Sequence, residues 1–280
     1  MNEMFERTDD FLIEQVKRDA NYTNQTSHFH PYYEIGYLVN GARSMTINHS
    51  LYNVERGCLI FVAKGELHKG FPNENNPSSV ELINLYFHEK YLAPFYQLFG
   101  KDQLISFFSN HIIKIPVGRQ EYVLDLFQKI LYEYQEIDEL SKELIRNYFC
   151  ELISFLIRLV RKNTNSLMLP DPNNKIMEDA VKYIYYNYHK DLTLEEVAGK
   201  FNLSKSHFSK RFKSVTGFGY KEYLISVRIK EACNLLLTTN KSITEIAFLC
   251  GFNDSNYFGD AFRKANGISP HKYRKYQGLI

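Results

Sequence analysis

Two sets of polar side chains, about fifty residues apart, are of the types that read and hold a nucleic acid. The first is Lys205, Ser206, Ser209, Lys210 and Lys213. The second is Ser255, Asn256, Gly259, Asp260 and Arg263. Serine, asparagine and lysine address base edges, lysine and arginine also neutralise phosphates, and an aspartate accepts from the amino group of cytosine. A third group lies near the N-terminus: His28, His30, Glu34, Tyr37 and His68, with Tyr32 and Tyr33 beside them. Imidazoles and phenols offer flat faces and hydrogen bonds, which suit a sugar or another small polar effector, with an apolar effector such as a fatty acid as the alternative.

Base reading needs a helix held rigidly against a second one, and the C-terminal third supplies that pattern twice. Thr193 and Ser242 are placed to cap a first helix, and Glu196 completes a capping box with Thr193. Ala198 and Ala247 are small where two helices must cross. Asn202 and Gly251 tolerate a left-handed turn, and Ser204 and Asp254 cap a second helix. Phe208 and Phe212, or Phe258 and Phe262, anchor that helix inward at i and i+4, and Gly217 and Gly267 end it. Ala198 recurs 49 residues on at Ala247, and Phe208 recurs 50 on at Phe258. Each copy is thus a helix-turn-helix whose outer face is free for a major groove. A merely solvated helix face is the plain alternative, and two ordered copies in a basic segment weigh against it. Residues 220–237 between the copies read as one amphipathic helix of roughly 27 Å, long enough to set the two reading helices about one DNA turn apart.

The whole chain fits this reading. It has 280 residues, 44% hydrophobic and 24% charged, which suits two globular domains. Net charge is +2, unevenly spread. Residues 171–280 carry 17 Lys/Arg against 11 Asp/Glu, a balance of +6, and the rest carry 17 against 21, a balance of −4. A polyanion partner for the C-terminal part follows. Residues 1–10 are polar with four acids, unlike a signal peptide, and no apolar run is long enough for a membrane span, so a cytoplasmic protein is expected. Cys58, Cys150, Cys233 and Cys250 lie far apart in apolar runs and read as reduced core thiols.

Up to about residue 90 the chain alternates apolar and polar residues, a β-rich pattern, with Gly41-Ala42 read as a hairpin turn. From about 89 to 162 the period lengthens to that of helices, notably over 121–135 and 142–161. Their apolar stripes are wide enough to serve both the β-rich part and a second subunit, with packing inside one chain as the alternative. Residues 163–174, polar and with two prolines, read as a linker.

The C-terminal segment resembles the AraC/XylS family of transcription regulators. The resemblance rests on Ile243-x-x-Ile246-Ala247-x-x-x-Gly251-Phe252, then Ser255-x-Tyr257-Phe258-x-x-x-Phe262-Arg263-Lys264, then Gly267-Ile268-Ser269-Pro270-x-x-Tyr273-Arg274. It covers about 100 residues. It implies seven helices, contacts to two adjacent grooves, and backbone contacts from Arg228 and from the helix N-termini near Thr193 and Ser242. In the family a small polar residue and a basic one precede the inner apolar pair of the second reading helix. Here Gly259 and Asp260 stand there, so the first unit is expected to carry more of the specificity.

In the front part, His28-x-His30-x-x-x-Glu34 with Gly41, and Gly57 followed by Ala63-x-Gly65-x-x-His68, resemble the two motifs of the cupin barrel. In metal-binding cupins the residues matching His28, His30, Glu34 and His68 hold one divalent ion, and three imidazoles with a carboxylate suit Mn, Fe, Ni or Zn. Tyr22 and Ala63 stand where the motifs usually have glycine and proline. Three readings follow: effector lining, a metal site on those four residues, or structural histidines. Effector lining is preferred, and no metal site is assigned.

The expected fold is therefore two domains. Residues 1–162 form a cupin-like β-barrel with an α-helical dimerisation segment, 163–174 a linker, and 175–280 an all-α domain with two helix-turn-helix units. The expected function is a non-enzymatic, effector-controlled DNA-binding regulator, an activator answering to a sugar. Promoter DNA, a small-molecule effector and a second copy of the chain are its expected partners, with RNA polymerase as a further candidate and a divalent metal as a candidate cofactor. The alternatives are a metal-dependent cupin enzyme fused to a DNA-binding module and an architectural DNA binder.

Overall fold

A computed structural model describes residues 11–22, 30, 32–48, 50–73, 76–162, 166–169 and 174–277. The front half holds strands β1 (Phe11–Arg18), β2 (Tyr33–Asn40), β3 (Ala42–Ile47), β4 (Ser50–Glu55), β5 (Cys58–Val62), β6 (His68–Pro72), β7 (Val80–Phe87) and β8 (Ile112–Lys114). They form two antiparallel sheets, one of five strands in the order β1-β7-β2-β5-β8 and one of three in the order β4-β3-β6. Leu38, Ile60 and Val62 from the larger sheet meet Met45, Ile47, Tyr52 and Val54 from the smaller one in a buried cluster.

Alternation along β2 decides which residue faces which layer. Leu38 belongs to the cluster between the sheets. Tyr33, Ile35 and Tyr37, one register off, belong to a second cluster on the outer face of the larger sheet. That face is covered by helices α3 (Val117–Gln135) and α4 (Ser141–Lys162), which follow a short 3-10 turn (Glu89–Leu92), α1 (Ala93–Phe99) and α2 (Lys101–Phe108). Val123, Phe127 and Ile130 of α3 and Phe149, Leu152 and Ile153 of α4 are wholly buried there. Each such side chain contributes roughly 1.5–3 kcal/mol. The broad stripes read on these helices are thus spent largely within the chain: Tyr122, Leu124, Tyr148 and Phe155, at their edges, still pack against the same cluster.

Two local expectations are corrected. Gly41 is not the tip of a hairpin. β2 pairs with β5 and β7, whereas β3 pairs with β4 and β6, so the chain crosses at Gly41 from one sheet to the other. A Cβ there would lie 2.2 Å from the Ser79 carbonyl oxygen, and φ is +87°, so the crossing needs glycine. The helical stretch from 89 to 162 is interrupted by β8, three residues that close the edge of the larger sheet against β5. Within 163–174, Leu167 bridges to Ile113, and the Met168 amide donates to the Ile112 carbonyl oxygen. Leu167 and Met168 of this segment therefore add to the edge of the sheet.

Among the described residues the C-terminal part has seven helices: α5 (Lys175–Asn187), α6 (Leu194–Lys200), α7 (Lys205–Thr216), α8 (Tyr220–Thr238), α9 (Ile243–Leu249), α10 (Ser255–Asn266) and α11 (Pro270–Gln277). Each helix-turn-helix has its own core, and α8 serves both. Its first half gives Tyr223, Leu224 and Val227 to a core with Val197, Phe208 and Phe212. Its second half gives Ile229, Ala232 and Leu236 to a core with Ile246, Phe258 and Phe262. The cysteines are free thiols, and burial pushes Cys233 and Cys250 up to about 12.

The two halves touch. The outer face of the three-stranded sheet presents Thr46, Leu51, Lys69 and Phe71 to the end of α7 and the start of α8. The Thr46 hydroxyl donates to the Val215 carbonyl oxygen at 3.3 Å. Lys69, only 4% exposed, pairs with Glu222 at 3.3 Å and lies 4.8 Å from the Phe218 ring centre. Leu51, Leu67 and Phe71 join the core of the first unit. Gly217 ends α7 in the left-handed region (φ +71°), and a Cβ on it would meet the Phe71 ring at 2.7 Å.

Candidate nucleic-acid interface and barrel site

The two reading helices are set by their ends. Ser204 caps α7, its hydroxyl accepting from the His207 amide at 3.3 Å, and Asp254 caps α10, accepting from Tyr257 at 2.6 Å. The helices before them carry full capping boxes, Thr193 with Glu196 and Ser242 with Glu245. The backbone and hydroxyl of Thr193 hold the Glu196 carboxyl below its usual range, and the Ser242 hydroxyl and backbone do the same for Glu245. Asn202 (φ +55°) and Gly251 (φ +85°) make the turns.

This framework leaves the expected faces outward. Lys205, Ser206, Lys210 and Lys213 are exposed and Ser209 is half-buried on α7. Asn256, Asp260 and Arg263 are exposed, with Ser255 and Gly259 half-buried, on α10. Thr193 and Ser242 are exposed at their helix starts. The charges are not all open, however. Lys205 makes a close ion pair with Glu195, and Arg263 lies 3.5 Å from Asp260 one turn before it. Arg228 is half-buried and committed within the chain, its guanidinium donating to the Tyr188 and Lys190 carbonyl oxygens at 2.9 Å. Arg274 repeats the arrangement in the second unit, donating to Leu236 and Lys241. Two exposed residues lie beyond the expected contact sets: His207, and Tyr257, which entered only as part of the family motif, at equivalent first-turn positions of the two reading helices. The 50-residue offset that aligned the phenylalanines also aligns them.

In the barrel, His30, Glu34 and His68 converge, and His28 lies outside the described residues. The Nε2 atoms of His30 and His68 lie 3.1 Å and 3.2 Å from the same oxygen, Glu34 Oε2. His30 Nδ1 is 2.9 Å from the Tyr32 carbonyl oxygen, and His68 Nδ1 is 3.0 Å from that of Glu66. The Tyr32 ring stacks on His30 at 4.0 Å. Burial opposes charge on all three groups. The two imidazoles nonetheless hold the Glu34 carboxyl far below the usual range. For His68 the carboxylate outweighs burial and its pKa rises, whereas for His30 burial prevails and it falls. Tyr37 is a correction. It sits on the opposite face of β2, 3% exposed, stacked on Phe127 at 5.6 Å and donating to the Gln120 carbonyl oxygen. It belongs to the helix-covered core, as its odd spacing from Glu34 requires.

A sheet-rich front domain joined to a pair of outward-facing helix-turn-helix units defines a DNA-binding regulator with a ligand-binding domain. Known families agree: an AraC-like ligand binding domain matches residues 13–152 and a helix-turn-helix domain matches residues 197–276. The chain belongs to the AraC family of transcription regulators. Among its relatives, the HTH-type transcriptional activator RhaS of Klebsiella pneumoniae is 26% identical over 256 residues, covering 90% of this chain and 88% of RhaS. An HTH-type regulator of Pseudoalteromonas carrageenovora is 37% identical over 103 residues, covering 37% of this chain and 61% of that protein. Among solved structures, ToxT from Vibrio cholerae covers 97% of this chain and 99% of its own at 14% identity, with a TM-score of 0.41. Among the described residues no helix is long and apolar enough to cross a membrane.

Proposed function

We propose that this regulator is an activator that binds promoter DNA through the outer faces of α7 and α10 and is controlled by a small polar effector, a sugar in the first instance, bound at the barrel's His30, Glu34 and His68. The observation that carries the DNA reading is the pair of equivalent capped helices whose polar faces stand clear of both cores. Activation is supported by the name of the RhaS relative, which aligns over nearly the whole chain. The polar effector is supported by the buried imidazoles and carboxylate, which offer hydrogen bonds where an apolar ligand would strand them. Arg228 supports the interface from within by tying α8 to the end of α5. A homodimer, formed through what the α3–α4 pair leaves exposed, doubles the DNA contacts, and RNA polymerase is the further partner that activation requires. No catalytic residue belongs to this reading.

The test is selection of duplexes from a random pool, followed by affinity measurements at fixed salt. The selected duplex is expected to bind on the order of a thousandfold more tightly than random DNA. Equal binding overturns the reading. A thermal-shift screen against sugars tests the effector: a ligand at about 100 times its Kd adds about 2.7 kcal/mol.

A further inference from the structure

The two helix-turn-helix units share α8. One shared rod would leave a hinge between the two bodies, and a second contact at another point removes it. The chain between α5 and α6 makes such a contact. α5 is anchored in the first core through Met177, Ala180 and Ile184. The residues after it, Tyr188 to Leu192, are fastened along α8. The Tyr220 hydroxyl donates to the Leu192 carbonyl oxygen at 2.9 Å, and the Arg228 guanidinium donates to those of Tyr188 and Lys190, each at 2.9 Å. The other side of the same segment meets the second unit. Tyr188 packs against both cores. At the turn of the second unit, a Cβ on Gly251 would lie 2.8 Å from the Tyr188 carbonyl oxygen, 3.0 Å from that of His189 and 3.0 Å from Arg228 Nε. The Arg228 guanidinium lies 5.8 Å from the Phe252 ring centre, next along the chain.

The first unit shows what the turn itself requires. Asn202 holds the equivalent position at φ +55°, against +85° for Gly251. Asparagine tolerates the left-handed region, so this turn can be made without glycine. The second unit needs glycine for another reason: the Tyr188 and His189 carbonyl oxygens and Arg228 occupy the place of a side chain.

We infer that Tyr188–Lys190 is a seam that locks the turn of the second unit to the lead-in of the first, with Arg228 and Gly251 as its positioning residues, so that the DNA this chain selects carries two half-motifs at one fixed separation. Rotation of one unit about α8 either presses Gly251 onto the Tyr188 carbonyl oxygen or parts the second unit from Arg228 and Tyr188. One base pair inserted between two half-motifs moves the second by about 3.4 Å and turns it by about 35° around the duplex. A hinged pair of units follows that displacement, whereas a locked pair gives up one set of contacts. Arg228 thereby has a different part from the backbone contact that the family resemblance implies, because its Nε and one Nη are spent on carbonyl oxygens. The inference rests on the proposed DNA-binding function and adds the format of the site to it.

The full chain is tested at fixed salt on the selected duplex and on two derivatives, with one base pair inserted or deleted between the half-motifs. The unmodified chain is expected to lose about tenfold in affinity on either derivative. Arg228→Lys keeps the charge but not the fork that reaches two carbonyl oxygens. Gly251→Asn keeps a residue suited to the turn and puts a side chain into the seam. Each variant should bind the original duplex more weakly, yet lose no more than about threefold on insertion or deletion. Asn202→Gly, which changes the equivalent turn away from the seam, should keep the full loss. A selected duplex with a single motif, or equal binding of all three duplexes by the unmodified chain, overturns the lock whether or not the variants fold. A folded Arg228→Lys or Gly251→Asn that is as sensitive to separation as the unmodified chain overturns the positioning role of that residue; for Arg228 this is the result expected of a phosphate contact. A chain that selects no duplex refutes the proposed function, and the fixed separation falls with it. A chain that selects a duplex but tolerates both changes refutes the fixed separation alone.

Discussion

In the first helix-turn-helix unit the reading face carries Lys210 and Lys213, while fifty residues on the same places hold Asp260 and Arg263, 3.5 Å apart. The scaffolds beneath are nearly interchangeable: a capping box, an apolar pair at i and i+4, a left-handed glycine at the C-terminus, and an arginine that ties a neighbouring helix end. What differs is charge and surroundings. Each unit pairs one cation, Lys205 with Glu195 and Arg263 with Asp260, but only the second does so with an acid of the reading helix itself, and the first is braced from behind by the barrel through Lys69 and Phe71. The two copies share the parts that make a helix-turn-helix stand and differ on the faces proposed to touch DNA. Exposed ion pairs such as Asp260–Arg263 add little stability, so their weight falls on binding.

The comparison is broken or sharpened by paired variants. The largest effects belong to the shared scaffold: Phe212→Ala and Phe262→Ala each remove a fully buried ring and should cost about 3–5 kcal/mol in chemical denaturation. Losses that differ by more than half between them would show that the two cores are not equivalent. Next come the glycines. Gly217→Val and Gly267→Val both force a branched residue into a left-handed cap, at roughly 1–3 kcal/mol. Gly217→Val also drives a methyl into Phe71, so it should cost more, and equal losses would make the barrel contact dispensable. Thr193→Ala and Ser242→Ala should each cost about 1 kcal/mol in thermal unfolding, alike in the two units. The smallest effect is acid dependence. Glu196 and Glu245 both have folded pKa values below 4.5, so their contribution is whole above that pH and fades as pH falls through the folded values. Glu196→Gln and Glu245→Gln should each flatten the acid limb of a stability profile between pH 5 and 3, by similar amounts.

The C-terminal domain was legible because its signals are local. Thr193 and Glu196 are three residues apart, Phe208 and Phe212 four, and the second copy repeats the message. The barrel was legible only as a class. That β2 and β3 lie in different sheets depends on partners 21 to 54 residues away (Ile47 with His68, Tyr33 with Phe87), and β8 is too short to show a period. Strand alternation along β2 puts Tyr37 on the face opposite Glu34, a signal the sequence carries. His30, Glu34 and His68 were named from their spacing, but their shared oxygen is a three-dimensional fact. The contact of Thr46, Lys69 and Phe71 with Val215, Gly217 and Glu222 spans about 150 residues of chain and left no periodic trace.

The claim that the first unit is the principal reader is tested most directly by measuring affinity for the selected duplex and for single-base variants of it with Lys210→Ala and Asp260→Ala side by side. Lys210→Ala should lose about 1–3 kcal/mol of binding or of discrimination at one position. Asp260→Ala, which frees Arg263, should keep discrimination and bind as tightly or slightly more so, with a steeper salt dependence. A larger loss of discrimination in Asp260→Ala than in Lys210→Ala would contradict the assignment.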